Sequence, residues 1–237
     1  MRADWMMSDK DFAEVWDAAR LLTMTSPERG FALWRAVEHV ARLTIPGAFV
    51  ECGCWRGGSA IVMARAAQHF DIGDRPIFLF DTFDGMTEAS DRDRDILGRN
   101  ASDLLRATKD DREQADIWAH ATLETVRDGL ARNQVDLETL SFIIGDVRIT
   151  LKSPQTGPIS ILRLDTDFYD STLMELEMLY PLLVPGGILI IDDYGHWEGA
   201  KAAFEDYFSG DRARYRPFLN AVDYTGRVGV KLAEIPV

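Results

Sequence analysis

Ala48-Phe49-Val50-Glu51-Cys52-Gly53-Cys54-Trp55-Arg56-Gly57-Gly58-Ser59 runs from an apolar strand through a glycine-rich turn into a helix that continues to about Phe70. Glycines let a backbone pass close to a ligand, and the free amides at a helix start can meet one. A strand–turn–helix unit of this kind is the opening repeat of a parallel α/β sheet. The spacing of Gly53 and Gly57 does not fit the G-x-G-x-x-G dinucleotide fingerprint. Alone, the stretch reads equally as a tight turn or as a nucleotide site.

Outward from it, strands and helices alternate. Upstream, Phe12, Val15, Trp16, Ala19 and Leu22 recur at helical spacing and predict a helix over residues 9–22. Ser26 is placed to cap a second helix, with Pro27 in its first turn, running to about Leu43. Downstream, Pro76-Ile77-Phe78-Leu79-Phe80-Asp81 is the second strand. Residues 85–112 are charged and weakly periodic and read as a surface excursion in the position of an active-site lid. The run Asp91-Arg92-Asp93-Arg94-Asp95 within them reads as a solvated loop. A helix is expected over about 114–133, a third strand over 140–146, and a fourth over 159–165. A helix over 171–180 then leads to the turn Pro185-Gly186-Gly187, a fifth strand over 188–192 and a helix over 198–208. Residues 217–219 and 228–232 form a closing antiparallel pair. Near-continuous apolar strands separated by helices imply a doubly wound, mostly parallel sheet covered on both faces. The whole chain, 1–237, reads as a single domain, with residues 1–45 as an N-terminal helical cap.

Bulk properties narrow the class. A hydrophobic fraction of 46% marks a globular chain, and its longest apolar runs are only strand-length. Met1-Arg2-Ala3-Asp4-Trp5 begins no signal-peptide core, so a soluble, cytoplasmic protein is expected. The net charge of −13, from 39 acidic against 26 basic residues, argues against nucleic acid or an anionic membrane as partner. Cys52 and Cys54 point to opposite faces of a strand end, have no second cysteine pair for zinc, and read as buried reduced thiols.

In such a sheet, ligands bind beyond the carboxyl ends of the strands. Acidic residues collect there. Glu51 ends the first strand, Asp81 the second and Asp146 the third. Asp81 is placed to accept ribose hydroxyls and Asp146 to meet an adenine amino group, although a helix cap and a turn aspartate are the plainer readings. Three acidic strand ends without a phosphate loop suggest an adenosine ligand, and S-adenosylmethionine, cationic at sulfur, suits such a pocket. Asp165 and Asp167 end the run Ile159-Ser160-Ile161-Leu162-Arg163-Leu164, while Asp192 and Asp193 end Gly187-Ile188-Leu189-Ile190-Ile191. If these strands are neighbours, four aspartates converge on one rim. A hard divalent cation is the simplest neutraliser of such a cluster.

The stretch from Phe49 to Ser59 resembles the first motif of the macrocin O-methyltransferase family. Those are class I enzymes that use S-adenosylmethionine and magnesium to methylate sugar hydroxyls of antibiotics. Leu162-Arg163-Leu164-Asp165-Thr166-Asp167-Phe168-Tyr169-Asp170-Ser171-Thr172 is similar to the family's second signature, and the segment from Pro185 to Gly195 to its third. Thr23-Met24-Thr25-Ser26-Pro27-Glu28-Arg29 resembles its N-terminal segment, which closes over the cofactor. The resemblance covers roughly residues 20 to 210. It implies a Rossmann-like methyltransferase fold, with Asp165, Asp192 and Asp193 as magnesium ligands and Asp167 as general base. It further implies that Glu51 and Gly53 face the methionine end of the cofactor, Asp81 the ribose and Asp146 the adenine, with Asp165 also a cofactor contact. Met24, Thr25, Trp55, Arg56, Ser59, Thr82, Phe83 and Gly145 complete the expected cofactor contacts, Arg56 being equally readable as a surface ion-pair residue. The charged insertion from Gly85 to Arg112 departs from the pattern, so acceptor choice does not carry over.

The chemistry fits the residue types. A sugar hydroxyl is a weak acid; magnesium can bind two neighbouring hydroxyls and lower the pKa of one, and Asp167 can take the proton. His196, just after the aspartate pair, is a second candidate base or acceptor contact, or else a loop histidine. The acceptor is expected to be a small hydroxyl compound, a glycoside, and the enzyme a homodimer built partly from its N-terminal helices. Two other functions compete. A haloacid-dehalogenase-like phosphatase also uses Asp-x-Asp at a strand end, but its nucleophile opens the domain and a lysine separates its motifs; here none lies between Asp167 and Asp192. A non-catalytic adenosine-binding module would not need all four aspartates.

Overall fold

The computed structural model describes residues 5–232; residues 1–4, where the N-terminal reading began, and 233–237 lie outside the described residues. Strand β1 (Ala48–Cys52) is buried along its whole length. It pairs in parallel with β2 (Ile77–Asp81) on one side and β4 (Ile159–Leu164) on the other. Beyond β2 lies β3 (Leu140–Ile144), and beyond β4 lies β5 (Leu183–Ile191). The antiparallel pair β6 (Leu219–Ala221) and β7 (Arg227–Val230) closes the sheet, giving the order 3-2-1-4-5-7-6. Strands β4 and β5 are therefore neighbours, and Leu164 pairs with Ile191 just before the two aspartate-bearing ends.

Each face carries its own core. On one face α1 (Lys10–Ala19), α2 (Pro27–Arg42), α3 (Gly58–His69) and α5 (Leu123–Arg132) cover Phe49, Leu79 and Ile161. On the other, the short α6 (Val147–Thr150), α7 (Tyr169–Leu179) and α8 (Glu198–Tyr207) cover Val50, Leu162 and Leu189. Alternate strand residues feed opposite cores, as period-2 geometry requires. Each fully buried large side chain contributes about 1.5–3 kcal/mol. Ser26 caps α2 by accepting from the Arg29 amide, and Pro27 opens that helix. The first helices are thus a packed layer, from which residues 23–25 and Arg29, in the first turn of α2, reach the site.

Four expectations need correction. The predicted helix over 114–133 is only half formed: Asp116–Trp118 is a 3-10 turn, Ala119 has φ +43, and α5 starts after a Thr122 cap. The Trp118 carbonyl instead accepts from the Met86 amide, tying this segment to the excursion. The excursion has a helix of its own, α4 (Ala101–Ala107). The charge run is not simply solvated, because Asp93 and Asp95 are each 1% exposed. Finally, Pro185-Gly186-Gly187 is not a turn before a strand. It is a bulge within β5, where the pairing jumps from Ile159–Leu183 to Ile161–Ile188 and Gly186 sits at φ +85.

Candidate active site

The carboxyl ends of the parallel strands open onto a cavity of about 630 Å³. Met24, Thr25, Gly53, Trp55 and Ser59 line it on the α2–α3 side. Asp81, Thr82, Gly145, Asp146 and Asp165 line it along the strand ends. Three residues expected at the cofactor do not line it. Glu51 is fully buried beneath, Phe83 packs in the core against Phe142, and Arg56 lies over the Trp55 ring, 4.6 Å from its centroid.

Local geometry explains the glycine-rich turn. Gly53 has φ +80, and a Cβ there would stand 2.0 Å from the Asp165 carbonyl oxygen. Only glycine allows β1 and the Asp165 loop to approach so closely. The Asp81 carboxylate accepts from the amides of Cys54 (2.7 Å), Trp55 (3.2 Å) and Phe83 (2.8 Å), fixing the turn after β1 to the end of β2. Trp55, Phe83 and Asp167 all hold positive φ values (+45, +52 and +67), uncommon for residues with a Cβ. Strain of this kind concentrates where surrounding structure enforces a functional geometry. Asp146 caps α6 and is gripped by the Arg148 side chain (2.6 Å). Burial raises its pKa, but those hydrogen bonds outweigh that and hold it below the usual range.

Arg163 organises the carboxylates. Its buried guanidinium donates to Glu51 (2.5 Å), Asp165 (2.6 Å) and Asp192 (2.7 Å). Arg29, from the first turn of α2, ion-pairs Asp192 from the other side and Asp223 at 3.0 Å. Asp192 is therefore buried between two arginines. The trio whose carboxylate oxygens lie within 4.8 Å of one another is Asp165, Asp167 and Asp193. This set differs by one member from the ligand trio the family resemblance implied. Burial pushes the Asp165 carboxyl well up despite Arg163. It does the same to Asp193, where the Asp167 and Asp192 charges add to it. Burial brings Asp167 to about 7, the Asp193 hydrogen bond partly opposing it. Three such acids cannot all ionise cheaply without protons or a cation.

His196 lines the cavity, and its Nδ1 lies 3.1 Å from the Tyr224 hydroxyl. Burial lowers its pKa, leaving it neutral at pH 7. Beside it, Asp95 and Arg99 come from the excursion. Burial raises the Asp95 pKa, but the amides of Leu97 and Arg99 and the Arg99 side chain hold it below the ordinary value. Met86, Leu104 and Ile117 add an apolar wall above an inner cluster of Phe168 and Trp197. Sequence reasoning missed Arg29, Arg163 and Tyr224. A signal for Arg163 existed: a lone arginine inside an apolar strand must be paired if buried. Nothing in the sequence joins Arg29 to Asp192.

Sheet order and strand-end cavity together define the class, a Rossmann-like methyltransferase. The O-methyltransferase NovP superposes with a TM-score of 0.76 at 27% identity, covering 90% of this chain and 83% of its own. The calicheamicin methyltransferase CalS11 shares the fold at TM-score 0.65 and 16% identity, over 94% of this chain and 92% of its own. The chain belongs to the macrocin-O-methyltransferase (TylF) family, whose model matches residues 7–228. It is an S-adenosylmethionine-dependent O-methyltransferase. A Streptomyces olivaceus relative, 8-demethyl-8-(2,3-dimethoxy-alpha-L-rhamnosyl)-tetracenomycin-C 4'-O-methyltransferase, is 34% identical over 206 residues, 86% of this chain and 73% of its own. Demethyldecarbamoylnovobiocin O-methyltransferase from Streptomyces niveus is 30% identical over 191 residues, 78% of this chain and 67% of its own. Among the described residues no helix is long and apolar enough to cross a membrane.

Proposed function

We propose that this enzyme methylates a hydroxyl of a glycoside with the help of a divalent cation, magnesium by preference. The observation that carries this reading is the carboxylate trio at the rim of the cavity that would hold the methyl donor. Relatives named for a rhamnosyl-tetracenomycin and for demethyldecarbamoylnovobiocin support the acceptor class.

The residues present fit both groups. Gly53, Asp81 and Asp146 all line the cavity at the strand ends, on the side where the donor's methionine, ribose and adenine would be held. Bound S-adenosylmethionine supplies an electrophilic methyl on sulfur. For a cation, Asp193 Oδ2 is buried with no hydrogen-bond partner, an orphan that a metal would satisfy. Asp165 and Asp193 would hold the ion, and Asp192 would join them only where Arg29 lets go. An ion there supplies acidification and orientation of neighbouring hydroxyls. Asp167 would accept the proton, and the Arg163 guanidinium, 2.6 Å from Asp165, favours the charged form of that carboxylate against its burial. His196 and Tyr224 would face the acceptor ring, while residues 23–25 and the excursion exclude water. Holding oxygen and methyl in line contributes several kcal/mol by itself.

The test uses purified enzyme, labelled methyl donor and a rhamnosyl glycoside, with metal stripped by chelation. Turnover is expected to fall by about 10²-fold or more on stripping and to return with magnesium. Full turnover by enzyme shown to be metal-free sinks the cation reading. Donor binding without transfer to any glycoside sinks the acceptor class.

A further inference from the structure

We propose that Asp93 is a positioning residue for methyl transfer: it caps, from the excursion, the helix that begins just after Asp167, and so couples docking of the excursion to the placement of the Asp167 carboxylate. This rests on reading Asp167 as the proton acceptor.

Helix α7 starts at Tyr169, and its own N-cap residue, Phe168, has no side chain able to cap it. The cap comes instead from a residue 76 positions earlier: the Tyr169 amide donates to Asp93 Oδ1 at 2.7 Å. A carboxylate at that end also meets the positive pole of the helix. The other oxygen, Oδ2, accepts from the Ser90 amide (2.6 Å) and hydroxyl (2.7 Å). The Asp93 carbonyl in turn accepts from the Ala101 amide at 2.8 Å, where α4 begins. One buried residue thus joins both parts of the excursion to α7, through its carboxylate at Ser90 and Tyr169 and its carbonyl at Ala101.

What lies immediately before that cap is the reacting end of the site. Asp167 holds φ +67, and the Phe168 amide donates back to the Thr166 carbonyl at 2.7 Å. A tight turn with a left-handed non-glycine residue persists only if both its ends are held. One end is the continuation of the sheet, where the Asp165 amide donates to the Cys52 carbonyl (2.9 Å). The other is Tyr169, held by Asp93. Helix α8 is shaped around this contact. A Cβ on Gly199 would stand 1.9 Å from Asp93 Oδ1 and 2.9 Å from the Tyr169 nitrogen. An outer tie repeats the coupling at the surface, where Arg92 lies over the Tyr169 ring and both reach Asp206.

The experiment compares Asp93→Ala and Asp93→Asn, each alone and combined with Asp167→Asn. Asp93→Ala is expected to lower kcat about 10²-fold, because a displacement of about 1 Å suffices for that loss, while KM for the methyl donor stays within about twofold. Asp93→Asn keeps an oxygen for the Tyr169 amide and is expected to recover most of kcat. In the Asp167→Asn background, Asp93→Ala should change kcat by less than about twofold, since the group it positions is already gone. Equal losses in both backgrounds, or undiminished kcat in Asp93→Ala, overturn the proposal. Amide exchange supplies a readout independent of turnover. Protection of the Tyr169 amide should vanish in Asp93→Ala and persist in Asp93→Asn; unchanged protection in Asp93→Ala refutes the cap. Should Asp93→Ala fail to fold, Ser90→Ala removes one bond that orients the carboxylate. A severalfold fall in kcat is expected there, and none overturns the coupling. Near-normal kcat in Asp167→Asn alone sinks the proton-acceptor reading instead, and exchange at Tyr169 still decides whether Asp93 is the cap.

Discussion

Arg163→Met, assayed without added divalent cation, is expected to destabilise the protein by about 3–5 kcal/mol, the usual result of breaking a buried ion cluster by removing one sign. Glu51 is 0% exposed and Asp192 1%, so neither can recover hydration when the guanidinium leaves; Glu51 loses its ion-pair partner and Asp192 keeps Arg29 alone. Asp165, also held by Arg163, faces Asp192 and Asp193 and adds to the repulsion. For a chain of this size the melting midpoint should drop on the order of 10 °C. Arg163→Lys should lie between, because a single ammonium cannot present the fork that reaches three carboxylates. Pairing Arg163→Met with Glu51→Gln should return part of the loss, since one of the orphaned charges is removed. A midpoint for Arg163→Met within a degree or two of wild type contradicts the structural role given to this arginine.

That arginine also marks the boundary of what the sequence makes legible. The strands announce themselves because runs such as Phe49-Val50 and Ile188-Leu189-Ile190-Ile191 have nowhere to go but a two-sided core. The acidic strand ends follow from the same logic, and the closing antiparallel pair is found where residues 217–232 suggested it. Side-chain charge within the excursion misleads for a definite reason. Asp93 and Asp95 look like solvent-facing members of an alternating run, yet beside Ser90 and Arg99 their partners are backbone amides, which every residue but proline has and no pattern reveals. The failure over 114–133 is similar. Apolar spacing there fits a helix, but Ile117 and Trp118 pack under the excursion and the Trp118 carbonyl is claimed by Met86. Tertiary contact overrides local periodicity at both places, and both lie beside the site.

Asp167→Asn is expected to lower kcat by about 10²–10⁴-fold, the range typical of removing a general base, with donor affinity nearly unchanged. The substitution keeps size and shape but leaves an amide that cannot take a proton. Asp167 is suited to the task by position. It stands at the end of β4, within the carboxylate trio, while Arg163 and Arg29 neutralise Asp165 and Asp192 around it. Its pKa of about 7 is that of a base poised close to the working pH, and burial is the largest cause, with the Asp193 hydrogen bond opposing it. Donor affinity, measured by calorimetry, should hold because Gly53, Asp81 and Asp146, the residues proposed to face the donor, are untouched. Single-turnover kinetics would separate the chemical step from release. A loss below about tenfold would place the base elsewhere. His196 is then the group to test, since it lines the same cavity and burial keeps it neutral and able to accept a proton. In that event His196→Gln, and not Asp167→Asn, should carry the large kcat effect, and Tyr224→Phe should share part of it by removing the hydroxyl next to Nδ1. The two outcomes assign the proton to different residues lining one cavity, so a single pair of variants separates them.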